Sequence, residues 1–329
     1  METFRKPKLI DVTFRDGGFA NGFSLNEREI DCLLSLLTRT AADVLEIGYV
    51  GGLPSSHGQF GRSGPTFDLS PAILKRLVSR SEKKCCVMLH PNHPNPVDPV
   101  RLREAGVALV RIPCQPSAWR QAINTVKQVR AFDLPVAVNF TLASWWKLDH
   151  LLASAREAEG EGVVILYLAD TNSALSPRAV SALLHSIRSI TTLPIGFHAH
   201  DGKGLALANV DAALASGASW IDASVFGIGR GPGNAPMESV LDTHWEGHTC
   251  LRSQLRCIPE VLKLFGLNEN ERVWERLCSM LDLSPPCVSL LDSMARTHNI
   301  NRFELGLRLI GRIGGRPLTS DEFDGLLVE

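Results

Sequence analysis

The sequence lacks the features that mark several classes of protein. None of its eight cysteines forms a C-x-x-C pair, and several lie in apolar runs, which favours free, buried thiols in a reducing cytosol. No run of 18 apolar residues occurs, so no membrane-spanning helix is expected. The opening stretch, METFRKPKLIDVTF, holds no apolar segment of signal-peptide length. We therefore predict a cytoplasmic protein that does not associate with a membrane.

An excess of charge of one sign is also missing. Lysine and arginine number 34 and aspartate and glutamate 35, which leaves a net charge of -1 at pH 7. This balance points neither to nucleic acid nor to an anionic lipid surface. The 329 residues are 44% hydrophobic, enough to bury a sizeable core without staples. We therefore predict an ordinary globular chain that acts on a small molecule.

Short apolar runs alternate eight times with longer helix-like stretches, which is typical of βαβ units and a parallel sheet. Eight such units predict an α/β fold of the (β/α)8 TIM-barrel type. The competing fold is a doubly wound open sheet, which is disfavoured because no G-x-G-x-x-G follows the first run. The first helix is predicted to start at a Ser24 cap, with Glu27 three residues on. The predicted strands are Leu9–Phe14, Val44–Tyr49, Cys85–His90, Ala108–Pro113, Pro135–Thr141, Val163–Ala169, Pro194–His200 and Trp220–Val225.

The pattern changes after about residue 240, where only helical periodicity remains. We predict a TIM-barrel catalytic domain over residues 1–245 and a helical C-terminal subdomain over residues 246–329. The helices predicted in this subdomain are Ser253–Phe265, Glu271–Leu281, Ser289–His298, Arg302–Ile313 and Ser320–Leu327.

Three segments that carry metal-binding residue types fall at the carboxyl ends of predicted strands, where barrel enzymes place their active sites. His198 and His200 end the seventh strand and, being two apart, point to the same face. Asp16 follows the first strand, and the glycine-rich loop 227–234 follows the eighth. Closure makes strands one, seven and eight neighbours, so these loops must meet at one rim. Two imidazoles and a carboxylate would leave coordination positions open for a substrate.

The segments TFRDGG at 13–18, HAHD at 198–201 and GNAPME at 233–238 resemble the DRE-TIM metallolyase superfamily. Their order and spacing match across about residues 8–240, and the branch of the 4-hydroxy-2-oxovalerate aldolases is the most similar. The resemblance implies metal ligation by Asp16, His198 and His200, with Asn234 near or on the metal. It also implies that Arg15 stabilises an enolate.

The sequence departs from the aldolase pattern at its proton-transfer groups. The resemblance leads us to expect a histidine three positions after Asp16, where Phe19 stands, and a tyrosine in the C-terminal region, where the stretch 287–289 has none. Tyr49, His90, His57 and a metal-bound water are the alternatives for moving the proton.

Further residues are candidates for the walls of the site. Glu46, on the second strand, could anchor Arg15. Asn139 and Asp170 end strands five and six and are predicted to line the pocket. Trp145, which with its neighbouring tryptophan follows strand five, would suit an apolar acceptor.

We therefore predict a divalent-metal-dependent aldolase, a carbon–carbon lyase acting through a metal-stabilised enolate of a pyruvate-like 2-oxo acid with an aldehyde. The alternative within enzymes is a Claisen-type acyltransferase that condenses an acyl-CoA with a 2-oxo acid. A non-haem Fe(II) oxygenase and an inactive scaffold are further alternatives. Mn²⁺ or Mg²⁺ is favoured by resemblance, and imidazole ligands also suit Zn²⁺ or Co²⁺. The C-terminal helices could dock a partner dehydrogenase, as the resemblance implies, or form a homodimer.

Overall fold

The computed structural model describes residues 6–54, 64–245, 248–268, 270–283 and 285–310. The chain divides into two compact units, one of residues 1–38 and 42–240 and the other of residues 39–41 and 241–329. The predicted helix Ser320–Leu327, the end of the predicted helix Arg302–Ile313 and the candidate His57 lie outside the described residues.

Eight parallel strands close into a barrel in sequence order, which confirms the predicted fold class. The seam is made by the first and last strands, where Ile10 pairs with Asp222 and Asp11 with Ala223. Every strand lies within two or three residues of its predicted bounds, because the apolar runs correspond to strands buried on both faces. The strands are β1 (Lys8–Asp11), β2 (Val44–Val50), β3 (Lys84–Leu89), β4 (Leu109–Cys114), β5 (Val136–Phe140), β6 (Ile165–Asp170), β7 (Ile195–Ala199) and β8 (Trp220–Ala223).

Helices follow the strands, and four of those in the barrel begin at a residue whose side chain caps the free backbone N–H groups, namely Asn26, Ser70, Asp98 and Ser176. The predicted Ser24 cap is wrong, because the helix runs over Glu27–Leu37 and its cap is Asn26, two residues later. The Asn26 side chain accepts hydrogen bonds from the backbone of Arg28 and Glu29, and the Glu29 carboxylate accepts one from the Asn26 N–H at 2.8 Å. The helices are α1 (Gly18–Asn21), α2 (Glu27–Leu37), α3 (Pro71–Arg80), α4 (Pro99–Glu104), α5 (Trp119–Arg130), α6 (Leu148–Gly160), α7 (Pro177–Arg188), α8 (Ala206–Ala215) and α9 (Met237–His244).

The barrel interior contains a layer of large polar side chains from the four even-numbered strands. Glu46, Arg111, Tyr167 and Asp222 are each fully buried. Arg111 donates to Glu46 at 3.0 Å and to Asp222 at 2.6 Å, and its guanidinium lies 4.2 Å from the centre of the Tyr167 ring. Gly196 makes room for that ring, because a Cβ at this position would lie 2.2 Å from it. In such barrels each layer is usually filled by branched aliphatic side chains from alternate strands. Here the strands alternate in the same way, but most of the side chains in the layer are charged.

The second unit is helical, which confirms the predicted C-terminal helical region. Within it the last described helix, Arg302–Leu309, packs closely on the two helices before it, and a Cβ on Gly306 would lie 2.7 Å from the Leu277 side chain. Among the helices that the structure describes, none combines the length and apolar composition that crossing a membrane requires. The helices of this unit are α10 (His248–Leu264), α11 (Asn270–Met280), α12 (Pro285–His298) and α13 (Arg302–Leu309).

Candidate metal-dependent active site

Asp16, His198 and His200 meet at the carboxyl end of the barrel. Each is buried, and one potential ligand atom from each lies within 4.8 Å of the other two. The imidazoles project from β7 and the residue just after it, two positions apart, so that their Nε2 atoms are 3.3 Å apart. Asp16 is held in the turn after β1 by the bond from its own N–H to the Val12 carbonyl at 2.7 Å.

Hydrogen bonds fix the orientation of both imidazole rings. The Nδ1 atom of His198 lies 3.0 Å from the Asp222 carboxylate, and that of His200 lies 3.1 Å from the Gly233 carbonyl. Both partners are acceptors, so both Nδ1 atoms donate and both Nε2 atoms keep their lone pairs for a ligand. Burial lowers the pKa of His200 to about 4, against the opposing charge of Asp16, which keeps this ring neutral at physiological pH.

The residues of this cluster fit a divalent cation. Two imidazole lone pairs that face each other at 3.3 Å need a cation or a proton between them. Asn234 adds a buried side-chain oxygen, Oδ1, with no hydrogen-bond partner among the described residues. Its amide nitrogen donates a hydrogen bond to the Ile228 carbonyl at 3.2 Å. Asp16, His198 and His200 thus offer a carboxylate and two imidazoles at one point, and Asn234, the fourth predicted ligand, lies beside Asp16.

The balance of buried charges near the cluster also favours a bound cation. Two guanidinium groups, those of Arg15 and Arg111, face three carboxylates, those of Asp16, Glu46 and Asp222. One negative charge is therefore left over in a region where all five side chains are buried. Burying an unpaired charge is costly, and a bound cation would offset that cost.

Arg15 connects the cluster to the interior of the barrel. Its Nε donates to Glu46 at 2.7 Å, and another nitrogen of the same group contacts Asp16 closely. Burial alone would raise the pKa of Asp16, but Arg15 and the two histidines hold it well below its usual range. Asp16 is therefore ionised and ready to bind a cation over the physiological range.

A cavity of about 540 Å³ opens beside the cluster, a size within the range that holds small organic ligands. Seven of the predicted site residues line it, and they come from the carboxyl ends of five strands and the loops that follow. These residues are Arg15, Asp16, Tyr49, His90, Asn139, His198 and His200.

The other predicted site residues lie elsewhere. Glu46 and Asn234 are buried behind Arg15 and beside Asp16, outside the cavity lining. The Asp170 carboxylate is bonded to the backbone of the following turn. It accepts hydrogen bonds from the Ala174 N–H at 2.8 Å and the Leu175 N–H at 3.1 Å. Trp145 is 64% exposed and is not part of the cavity wall.

Two residues that support the site were not predicted from the sequence. Asp222 orients His198, and Arg111 connects Asp222 to Glu46 and so to Arg15. The signal was present, because each is a charged residue inside an otherwise apolar predicted strand. A buried charge in such a position is rarely tolerated without a partner.

An α/β barrel that gathers two imidazoles and a carboxylate beside a cavity at the carboxyl ends of its strands is typical of metal-dependent barrel enzymes. The model of the HMGL-like family matches residues 113–247. The 4-hydroxy-2-oxovalerate aldolase of Thermus thermophilus is 31% identical over 248 residues, which cover 74% of this chain and 70% of that protein. That of Roseiflexus sp. strain RS-1 is 30% identical over 241 residues, covering 72% and 70%.

Solved structures agree on the fold. The N-terminal domain of a Bacteroides vulgatus protein matches with a TM-score of 0.66 at 26% identity, covering 79% of this chain and 88% of that one. The HMG-CoA lyase of Bacillus subtilis matches with a TM-score of 0.67 at 19% identity, covering 84% and 100%. The chain belongs to the HMGL-like family of the DRE-TIM metallolyases, as its motifs indicated.

Proposed function

We propose that this protein is a metal-dependent aldolase that joins or separates a pyruvate-like 2-oxo acid and an aldehyde. The observation that carries the proposal is the buried group of Asp16, His198 and His200 on the same cavity wall as Arg15. The names of its curated relatives support the same reaction type.

The reaction in the cleavage direction breaks the bond between C3 and C4 of a 4-hydroxy-2-oxo acid. The proton of the C4 hydroxyl passes to a base, the electron pair of the bond goes to C3, and an aldehyde and an enolate result. A proton then returns to C3 and gives the 2-oxo acid. A divalent cation held by Asp16, His198, His200 and Asn234 would supply a Lewis acid that polarises the keto group.

Arg15 stabilises the negative charge that develops on the oxo acid. Its guanidinium is held by Glu46 and Asp16 and still lines the cavity, so its remaining N–H groups can meet an oxyanion without reorganising. A donor fixed in this way contributes typically about 3 kcal/mol to catalysis.

Tyr49 and His90 are our candidates for moving protons, since both line the cavity. Burial raises the pKa of Tyr49 to about 12, so its phenol stays protonated and can act as a donor. The Nδ1 atom of His90 accepts from the Asn92 N–H at 3.2 Å, which leaves Nε2 as the protonated nitrogen of the neutral ring. Asn139 would bind substrate oxygens, because it lines the cavity and its Oδ1 has no partner among the described residues.

The choice of metal follows from the donor set and from resemblance. Carboxylate, amide and water ligands suit Mn²⁺ or Mg²⁺, and the two imidazoles make Zn²⁺ or Co²⁺ alternatives. We favour Mn²⁺ or Mg²⁺.

The test follows the donor half of the reaction alone. Purified protein is loaded with Mn²⁺, its metal content is measured, and deuterium incorporation at C3 of pyruvate in D₂O is followed by mass spectrometry. Exchange is expected for wild type and lost in His200→Ala. The matched control is His185→Ala, since His185 is an exposed histidine on α7. Absence of exchange in metal-loaded wild type, or its persistence in His200→Ala, would contradict the proposal.

The remaining predictions concern the surroundings of this site. The aldolase relatives favour aldol chemistry over the Claisen-type alternative. A barrel fold argues against the Fe(II) oxygenase reading, and the set of buried ligands argues against an inactive scaffold. The catalytic role of residues 1–245, a dehydrogenase partner or homodimer at the C-terminal helices, and a cytoplasmic location stay predictions.

A further inference from the structure

One side of the cavity is lined by carbon. Phe19, Tyr49, Leu53 and Met88 all border it, and we call these four residues the apolar wall. Tyr49, Leu53 and Met88 are at most 5% exposed and form one hydrophobic cluster with Phe23, against which Phe19 packs. Phe19 is the least buried of the four.

Aromatic packing holds the apolar wall in place. The Phe19 ring meets the Phe23 ring edge to face at 5.0 Å and the Tyr49 ring at 6.4 Å, and Phe67 supports Phe23 at 5.4 Å. A Cβ on Gly18 would lie 2.3 Å from the Phe23 ring, so the backbone beside Phe19 is pressed directly onto the cluster. A wall packed in this way is preformed, so that ligand binding costs little side-chain conformational entropy.

The apolar wall offers almost no polar contact to a ligand. Its one polar group is the Tyr49 hydroxyl, which is hydrogen-bonded to Arg15 and therefore lies at the border with the proposed oxo-acid site. A ligand group placed against this wall gains by leaving water if it is apolar, and loses its hydration without compensation if it is polar. The metal cluster and Arg15 border the same cavity and would bind the oxo acid.

The geometry points to an aldehyde with an apolar side chain of several carbons, aliphatic or aromatic, as the second substrate. This inference rests on the proposed aldolase function and specifies its acceptor. Phe19 is the specificity-determining residue, because it contributes the most accessible part of the apolar wall. In the cleavage direction the same wall binds the carbon chain beyond C4 of the 4-hydroxy-2-oxo acid.

The cavity contains one feature that favours a different acceptor. Arg230 lines it, is exposed, and has no carboxylate partner for its side chain among the described residues. A guanidinium there would bind an aldehyde that carries a carboxylate. Because Arg230 is exposed to solvent, water screens its charge, and the buried apolar wall outweighs it.

The experiment measures kcat/KM for addition of pyruvate to acetaldehyde, propanal, butanal, benzaldehyde and glyoxylate, using the Mn²⁺-loaded full chain. We expect a rise of about fourfold per added methylene, roughly fifteenfold from acetaldehyde to butanal. Benzaldehyde should exceed acetaldehyde, and glyoxylate should be the poorest acceptor. A flat or falling series, or a preference for glyoxylate, would overturn the inference.

Variants then test the role of Phe19. In Phe19→Asn the preference for butanal over acetaldehyde should fall below about fourfold. The control is Phe67→Leu, which alters the support of the cluster without touching the cavity and should keep the wild-type preference. An unchanged preference in Phe19→Asn would remove Phe19 from this role. Deuterium exchange into pyruvate, run on every variant, separates the two proposals: exchange without the expected series refutes only the acceptor, and no exchange in wild type refutes both.

Discussion

The two sides of the cavity are built in different ways. The polar side, made of Arg15, Asp16, His198 and His200, is held by ion pairs and hydrogen bonds that reach into the barrel interior. The apolar wall is held mainly by the packing of rings and aliphatic side chains, with one hydrogen bond between Tyr49 and Arg15. Directional bonds fix the position of reacting atoms within a fraction of an ångström, whereas an apolar surface accepts any carbon chain of suitable shape. The difference suggests that one side determines the reaction and the other selects the substrate.

The largest effect is expected where the polar side is anchored, at Arg111. Replacing Arg111 with Met leaves Glu46 and Asp222 buried without their shared partner. We expect the free energy of unfolding to fall by about 3–5 kcal/mol, measured by urea denaturation. The control is Arg101→Met, since Arg101 lies on the surface of α4 and its loss should change stability by less than about 0.5 kcal/mol. A loss at Arg111 no larger than at Arg101 would show that the interior network is dispensable.

The next effect concerns the reaction itself. In Arg15→Lys a compact ammonium replaces the fork that bonds Glu46 and Asp16, so the donor for the oxyanion is displaced. Exchange at C3 of pyruvate should slow by about 100- to 1,000-fold while bound metal is retained. An exchange rate within a few-fold of wild type would mean that Arg15 stabilises the fold and does not contribute to the reaction.

A smaller effect is expected at Asp222, which does not belong to the metal cluster but is bonded to His198. Asp222→Asn weakens the bond that orients His198, so affinity for Mn²⁺ should drop by roughly 10- to 100-fold in a calorimetric titration. Asp211→Asn is a control on α8, outside the barrel interior. Equal metal affinity in both variants would separate Asp222 from the metal site.

The smallest effect lies outside both sides of the cavity. Burial raises the pKa of Asp11 to about 6, and its Oδ2 has no hydrogen-bond partner within the part of the chain that the structure describes. Because the folded-state pKa is above the unfolded value of 3.8, the stability that this group contributes at low pH is lost as pH rises through 6. Asp11→Asn should therefore be more stable than wild type above pH 6, by roughly 1–2 kcal/mol, with the gain fading towards pH 4. Exchange into pyruvate should not change, and a gain that is constant with pH would contradict this explanation.

The sequence predicted features that depend on neighbouring residues. The alternation of apolar runs and helices is local, so the eight strands could be placed within two or three residues. The pair His198 and His200 was readable because strand periodicity puts positions two apart on one face. We predicted the helix cap at Ser24, whereas the structure has it at Asn26. Both residue types cap well, and only the folded turn decides between them.

Contacts between distant segments could not be predicted in the same way. Arg111 meets Asp222 across 111 residues of sequence, and only closure of the barrel brings them together. Trp145 and Trp146 are adjacent and chemically identical. The structure buries Trp146 against Phe140 with its Nε1 bonded to the Thr141 carbonyl, and it leaves Trp145 exposed. Asp170 was assigned to the pocket by its place at a strand end, but its carboxylate satisfies backbone N–H groups instead.

The sequence by itself therefore determined the barrel and the residues that meet in the candidate metal cluster, because strand periodicity and the order of βα units are encoded locally. Tertiary structure alone decided which side chains support those ligands and which surface faces them. Phe19, Tyr49 and Met88 come from three different βα units and form one wall only after the strands close. Closure is a long-range event driven by burial of the whole core, and no short segment contains the information for it.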